Sequence, residues 1–163
     1  MNKLISGSRK WLLLVIITGM ITTTDQWTKQ LIVDSMPLHT GVEVIAGFLD
    51  FAHVRNSGVA FGILSGGASG FQRIFFVLLS FAAMVVIAWM IYSSPGIELG
   101  LLIGCSLFFG GALGNLIDRI RFGQVIDFID VHWGNLHWPA FNVADSALCV
   151  GACLFLLHVV LKK

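Results

Sequence analysis

Charge is scarce in this 163-residue sequence: 12% of residues are Asp, Glu, Lys or Arg, 56% are hydrophobic, and the mean hydropathy is +0.87. An ordinary soluble domain, about a quarter charged, is excluded, and an integral membrane protein is implied. Basic runs are absent, as are aromatic and basic residues interleaved on a polar face, which excludes nucleic acid as a partner. The three cysteines, Cys105, Cys149 and Cys153, form no spaced framework. All lie inside apolar runs and read as small buried packing residues rather than disulfide or metal ligands. The five histidines show no HExxH or other ligand spacing, so neither a metal nor a cofactor is implied. A serine peptidase is excluded too, because no Ser and Lys pair is in place and Lys29 is the only membrane-proximal lysine on the side where acids gather. The opening MNKLISGSRK followed by WLLLVIITGMI has the charged and apolar parts of a secretory signal, yet no small-residue cleavage site follows. An uncleaved first span is expected.

What is present is apolar length. A span needs about 20 apolar residues, and four runs supply it, at about Trp11 to Val33, Phe71 to Tyr92, Ile97 to Ile117 and Phe141 to Leu161. The expected fold is an all-α membrane core of four transmembrane helices with a small extracytoplasmic β-sheet, one domain over residues 1–163. With an even number of spans both termini share a side. Lys3, Arg9, Lys10, Lys162 and Lys163 crowd into the two tails there, which marks it as cytoplasmic; Lys29, Arg55, Arg73, Arg119 and Arg121 are more dispersed on the other side. Of the nine acids only Glu98 belongs to the terminal side, so the chemistry is expected near the outer face.

Two outward connections are expected, over residues 36–70 and 118–140. In the first, VEVI and FLDFAHVRN read as two short strands, followed by the Gly-rich NSGVAFGILSGGASG, a candidate flap. In the second, VHWGNLHWP reads as a hairpin turning at Gly-Asn, with Trp133 and Trp138 suited to headgroup depth and His132 and His137 as hairpin residues. The inner connection, SSPG, reads as a bare turn.

Helical spacing places Gly111, Gly114, Asn115 and Asp118 on one face of the third span, and Asn142, Asp145 and Cys149 on one face of the fourth. The glycines suit close helix approach, and Asn115 with Asp118 suits either helix packing or chemistry. Asp145 in a lipid helix costs roughly 2.5 to 3.5 kcal/mol, so a partner must use or neutralise it. Asp127 or Asp130 of QVIDFID could return against it and share one proton, the requirement for metal-free peptide hydrolysis by water. Arg119 or Arg121 could instead form a buried ion pair with it. Asp25 and Lys29, at i and i+4, read as an ion pair on a helix surface. A small proton-coupled transporter, with Asp118, Asp145 and Arg119 as a relay, is the rival, against which stand the one-sided acids and the absence of an internal repeat.

NSGVAFG, GALGNLIDR, QVIDFID and FNVADS, in this order across the whole chain, closely resemble the bacterial lipoprotein signal peptidase (signal peptidase II) family. The resemblance implies an aspartic endopeptidase of the bacterial cytoplasmic (inner) membrane that removes signal peptides just before a diacylglyceryl-modified cysteine. Its partners would be the lipid-modified prolipoprotein and membrane lipid, with acyl chains between helices, and a monomer is expected. It implies Asp127 and Asp145 as the catalytic pair. Asn56 and Gly58 of NSGVAFG, Asn115, Asp118 and Arg119 of GNLIDR, Asn142, and Asp25 with Lys29 of DQWTK are implied as supporting residues.

Overall fold

The computed structural model describes residues 4–58 and 70–161. The element order is β1 (Leu4–Ser6), α1 (Ser8–Ser35), β2 (Gly41–Ile45), β3 (Leu49–Asn56), α2 (Gly70–Ser93), β4 (Gly96–Glu98), α3 (Leu99–Phe122), β5 (Val125–Trp133), β6 (Leu136–His137) and α4 (Val143–Leu161). Helix α3 packs against each of the other three helices. Antiparallel strands in the order β2-β3-β5-β6 form a sheet at one end of the helices, and β1 pairs with β4 elsewhere. The candidate flap lies outside the described residues, apart from its first three positions and Gly70.

Three helices, α2, α3 and α4, are long and apolar enough to cross a membrane. Helix α1 is longer, at 28 residues, but its second half reads TTTDQWTKQ and lowers its hydropathy. Thr23, Thr24 and Gln30 of this stretch are exposed, while Asp25 and Lys29 are buried and Gln26 half-buried. Thr18, Thr22 and Gln26, one turn apart, donate to the carbonyls of Ser106, Gly110 and Gly114 on α3 at 3.4, 3.2 and 3.2 Å. The acceptors are four residues apart as well, so the two helices run in register. Small residues at the acceptor positions let the backbones come this close. A Cβ on Gly114 would sit 2.6 Å from Asp25 Oδ2, and one on Gly111 would overlap the carbonyl oxygen of Ala144.

Three expectations change. The segment after SSP is no bare turn: Gly96–Glu98 pairs with Leu4–Ser6, and Ile5 and Ile97 join a buried cluster with Leu14, Ile91 and Leu102. Lys10 is not a free tail charge, for its ammonium donates to the carbonyls of Ile91 and Ser94, both at 2.6 Å, and so closes the C-terminal end of α2. Of the cysteines only Cys105 is buried; Cys149 and Cys153 lie exposed on α4. The strands of the first outward connection and the hairpin of the second form as expected, the latter with His132 opposite His137.

A bulge between Phe51 and Val54 adds one residue to β3 and shifts its pairing with β5. Beyond it Val54 lies opposite Asp127 and Asn56 opposite Val125. Opposed residues share a face, so Asn56 and Asp127 become diagonal neighbours.

Candidate active site

The site forms where β3 and β5 meet the ends of α1, α3 and α4. Asn142 is its joint. It precedes the first residue of α4, and its side-chain oxygen accepts from the Asp145 N–H at 2.8 Å while Asp145 Oδ2 accepts from the Asn142 N–H at 3.3 Å. This reciprocal cap needs Asn at the N-cap and an acid three residues on, the spacing of N-V-A-D. The same Asn142 donates its amide to Asp127 Oδ1 at 2.7 Å. One residue therefore holds both carboxylates that the motifs single out. Asn56 donates to Asp127 Oδ2 at 2.8 Å and accepts from the Gly58 N–H at 2.8 Å. Asn115 donates to Asp145 Oδ1 at 2.7 Å.

Spacing alone leaves Asp127 and Asp130 equivalent, but the strand separates them. Residues three apart on a strand face opposite ways. Asp127 is buried against the helix ends, and Asp130 lies on the other face with His137 Nδ1 at 3.0 Å. The ion-pair alternative for Asp145 is not formed among the described residues: Arg119 lies over the Phe76 ring at 5.2 Å, and Arg121 and Arg55 both stack on Phe122. Arg119 still lies within electrostatic reach of Asp145, Asp127 and Asp118.

Asp25 and Lys29 are no surface pair. Both are almost fully buried, because the face that carries them turns toward α3. The Lys29 ammonium has three donors, and they meet Asp25 Oδ2 at 2.8 Å, Asp118 Oδ2 at 2.8 Å and Asn115 Oδ1 at 3.0 Å. The second oxygen of Asp25 accepts from the Ala144 N–H at 2.9 Å, fastening α1 to the start of α4. Asp118 accepts from the Ile126 N–H at 3.2 Å, fastening α3 to β5. Gln26 donates to Asp118 Oδ1 at 2.9 Å. Lys29 thus fixes Asn115, and Asn115 fixes Asp145. Neither Gln26 nor Phe76 stands out in the sequence: one sits in a polar stretch and the other in an apolar run.

Burial differs across the pair. Asp127 is 2% exposed, whereas Asp145 is half-buried, which makes Asp145 the more accessible member of the pair. Burial pushes the Asp127 carboxyl up to about 6 from 3.8; the Asn56 amide pulls it down, and the charge of Asp145 pushes it up again. Lys29 and Arg119 bring two positive charges to four carboxylates, Asp25, Asp118, Asp127 and Asp145, so a proton retained on the pair lowers the charge imbalance. Asp127 is the member that burial favours as its holder. We expect a carboxyl signal from Asp127, followed by infrared or NMR spectroscopy in micelles, to titrate near pH 6 and to vanish in Asp127→Asn. Titration near pH 4 would contradict the effect of burial.

A family profile described as signal peptidase (SPase) II matches residues 16–161. The chain belongs to the signal peptidase II family. Among curated members, the lipoprotein signal peptidase of Syntrophotalea carbinolica is 47% identical over 146 residues, covering 89% of each chain. That of Desulforapulum autotrophicum is 39% identical over 157 residues, covering 96% of this chain and 97% of the relative. Among solved structures, a bacterial membrane enzyme determined by the in meso method at 2.3 Å superposes with a TM-score of 0.81 at 33% identity, covering 98% of this chain and 92% of that one. Membership of the signal peptidase II family makes this chain a protease and sets aside the proton-coupled carrier.

Proposed function

We propose that this protein removes the signal peptide from diacylglyceryl-modified prolipoproteins, cutting just before the lipidated cysteine, with Asp127 and Asp145 as an aspartic dyad. The observation that carries this reading is Asn142, which binds one carboxylate through its amide and the other through its cap. Family membership supports the substrate class through relatives named lipoprotein signal peptidase.

In this mechanism the ionised carboxylate of the pair takes a proton from water as the water attacks the scissile carbonyl. The protonated partner hydrogen-bonds the developing oxyanion and then passes its proton to the leaving amine. One carboxylate of the pair starts protonated and the other serves as the base. Asn56, with its amide on Asp127 and an exposed position, is placed to meet substrate backbone. Gly58, at φ +90°, closes the turn beside it. Asn115 and Asn142 fix the carboxylates, Arg119 supplies positive charge to the site, and Asp25, Lys29 and Asp118 hold the scaffold beneath.

The chain acts as one domain over residues 1–163 and as a monomer. All four helices span the bacterial inner membrane, α1 with Asp25 and Lys29 turned inward. Both termini lie in the cytoplasm and the sheet end at the outer face, where Trp133 and Trp138, both largely exposed, meet lipid headgroups. The acyl chains of the substrate lie between helices, each buried methylene contributing about 0.8 kcal/mol. Side-by-side incubation with a diacylated precursor and its non-lipidated counterpart tests the assignment. Cleavage of the diacylated form alone is expected; equal cleavage of both would remove the lipid from the recognition, and cleavage of neither would end the reading.

A further inference from the structure

We propose that Phe76 is a positioning residue for cleavage, its ring meeting both the Arg119 guanidinium and the Asn56–Gly58 turn. The inference rests on the aspartic dyad described above.

Three observations converge on this ring. The Arg119 guanidinium lies 5.2 Å from its centroid, the geometry of a cation–π contact. Arg119 forms no ion pair among the described residues, and the ring face is the contact the structure shows for a guanidinium within electrostatic reach of Asp145, Asp127 and Asp118. Gly58 touches the same ring: a Cβ there would overlap its edge atoms. The Gly58 N–H in turn donates to Asn56 Oδ1 at 2.8 Å, and Asn56 donates to Asp127 Oδ2 at 2.8 Å. Phe76 therefore reaches the dyad by two routes, a charge acting through space and a turn acting through hydrogen bonds. The ring itself packs edge-on against Phe75, with centroids 5.3 Å apart. An aliphatic side chain would fill much of the same volume but has no π face for a guanidinium.

The sign of the electrostatic effect follows. A cation near Asp127 favours its ionised form, and releasing that cation raises the pH at which the carboxyl loses its proton. Phe76→Leu is expected to lower kcat about 10- to 100-fold, with KM for a diacylated precursor little changed. The pH profile of kcat is expected to move about one unit toward alkali. Phe76→Trp, which keeps a π face, is expected to restore both. An unshifted pH profile in Phe76→Leu, a loss confined to KM, or a Trp variant no better than Leu would each overturn the proposal. Should Phe76→Leu not fold, Phe76→Met takes its place with the same expected outcomes. Asp127→Asn is assayed in parallel. Normal cleavage by Asp127→Asn would sink the dyad reading, whereas an inactive Asp127→Asn beside a Phe76→Leu of wild-type kcat and pH profile would sink the role of Phe76 alone.

Discussion

Asparagine at either Asp127 or Asp145 is expected to abolish cleavage of a diacylated precursor, with the rate reduced at least 10³- to 10⁴-fold if each carboxylate supplies a full acid or base function. The fold should survive both changes. An asparagine oxygen at 127 can still accept from Asn56 or Asn142, and one at 145 can still accept from the Asn142 N–H. Stability should even move the other way for Asp127. Its folded pKa is raised to about 6 from 3.8, so its stabilising contribution is fully present below pH 3.8 and is lost as pH rises through about 6. At pH 7 to 8 the buried charge is a net cost, which Asp127→Asn removes. A variant that melts at or above the wild-type temperature and cleaves nothing is the expected signature. Loss of folding together with activity would say that Asp127 is structural, and normal cleavage by either variant would end the dyad reading.

The second large effect concerns Lys29. Methionine there leaves Asp25 and Asp118 buried without their cation, and breaking a buried pair on one side costs roughly 3 to 5 kcal/mol. In a membrane domain of marginal stability this should show as a steep fall in melting temperature and in folded yield. Neutralising the acids as well should rescue it: the triple variant Lys29→Met, Asp25→Asn, Asp118→Asn removes the uncompensated charge and should recover most of the stability. Activity should not return with it, because Asn115 loses the ammonium that its oxygen accepts from and its grip on Asp145 loosens. A single Lys29→Met variant as stable as wild type would mean that water solvates Asp25 and Asp118 in place of the ammonium.

These expectations draw unevenly on sequence. The apolar runs place all four helices within a few residues, since segments of that length in so apolar a chain have few other options. Val-Glu-Val-Ile, Phe-Leu-Asp-Phe and the Gly-Asn turn place β2, β3 and the hairpin by local propensity alone, whereas β1 and β4 form only because two distant segments pair. The Asn142–Asp145 cap is also legible, being a local spacing. Thr18, Thr22 and Gln26 were harder, because polar residues in a span can face water, another helix or a helix end, and their sequence spacing is the same in each case.

Composition and the short-range periods of helix and strand are enough to show which residues carry polar chemistry and along which element they lie. Only the tertiary structure decided what they meet. The face of β5 that turns to the helices separates Asp127 from Asp130, since a strand sends residues three apart in opposite directions and only docking chooses between them. Inter-helix packing buries Lys29 against a second acid, Asp118, 89 positions away, and it sets Phe76 between Arg119 and Gly58. Contacts of that range come from how faces close on one another, and no local period records them.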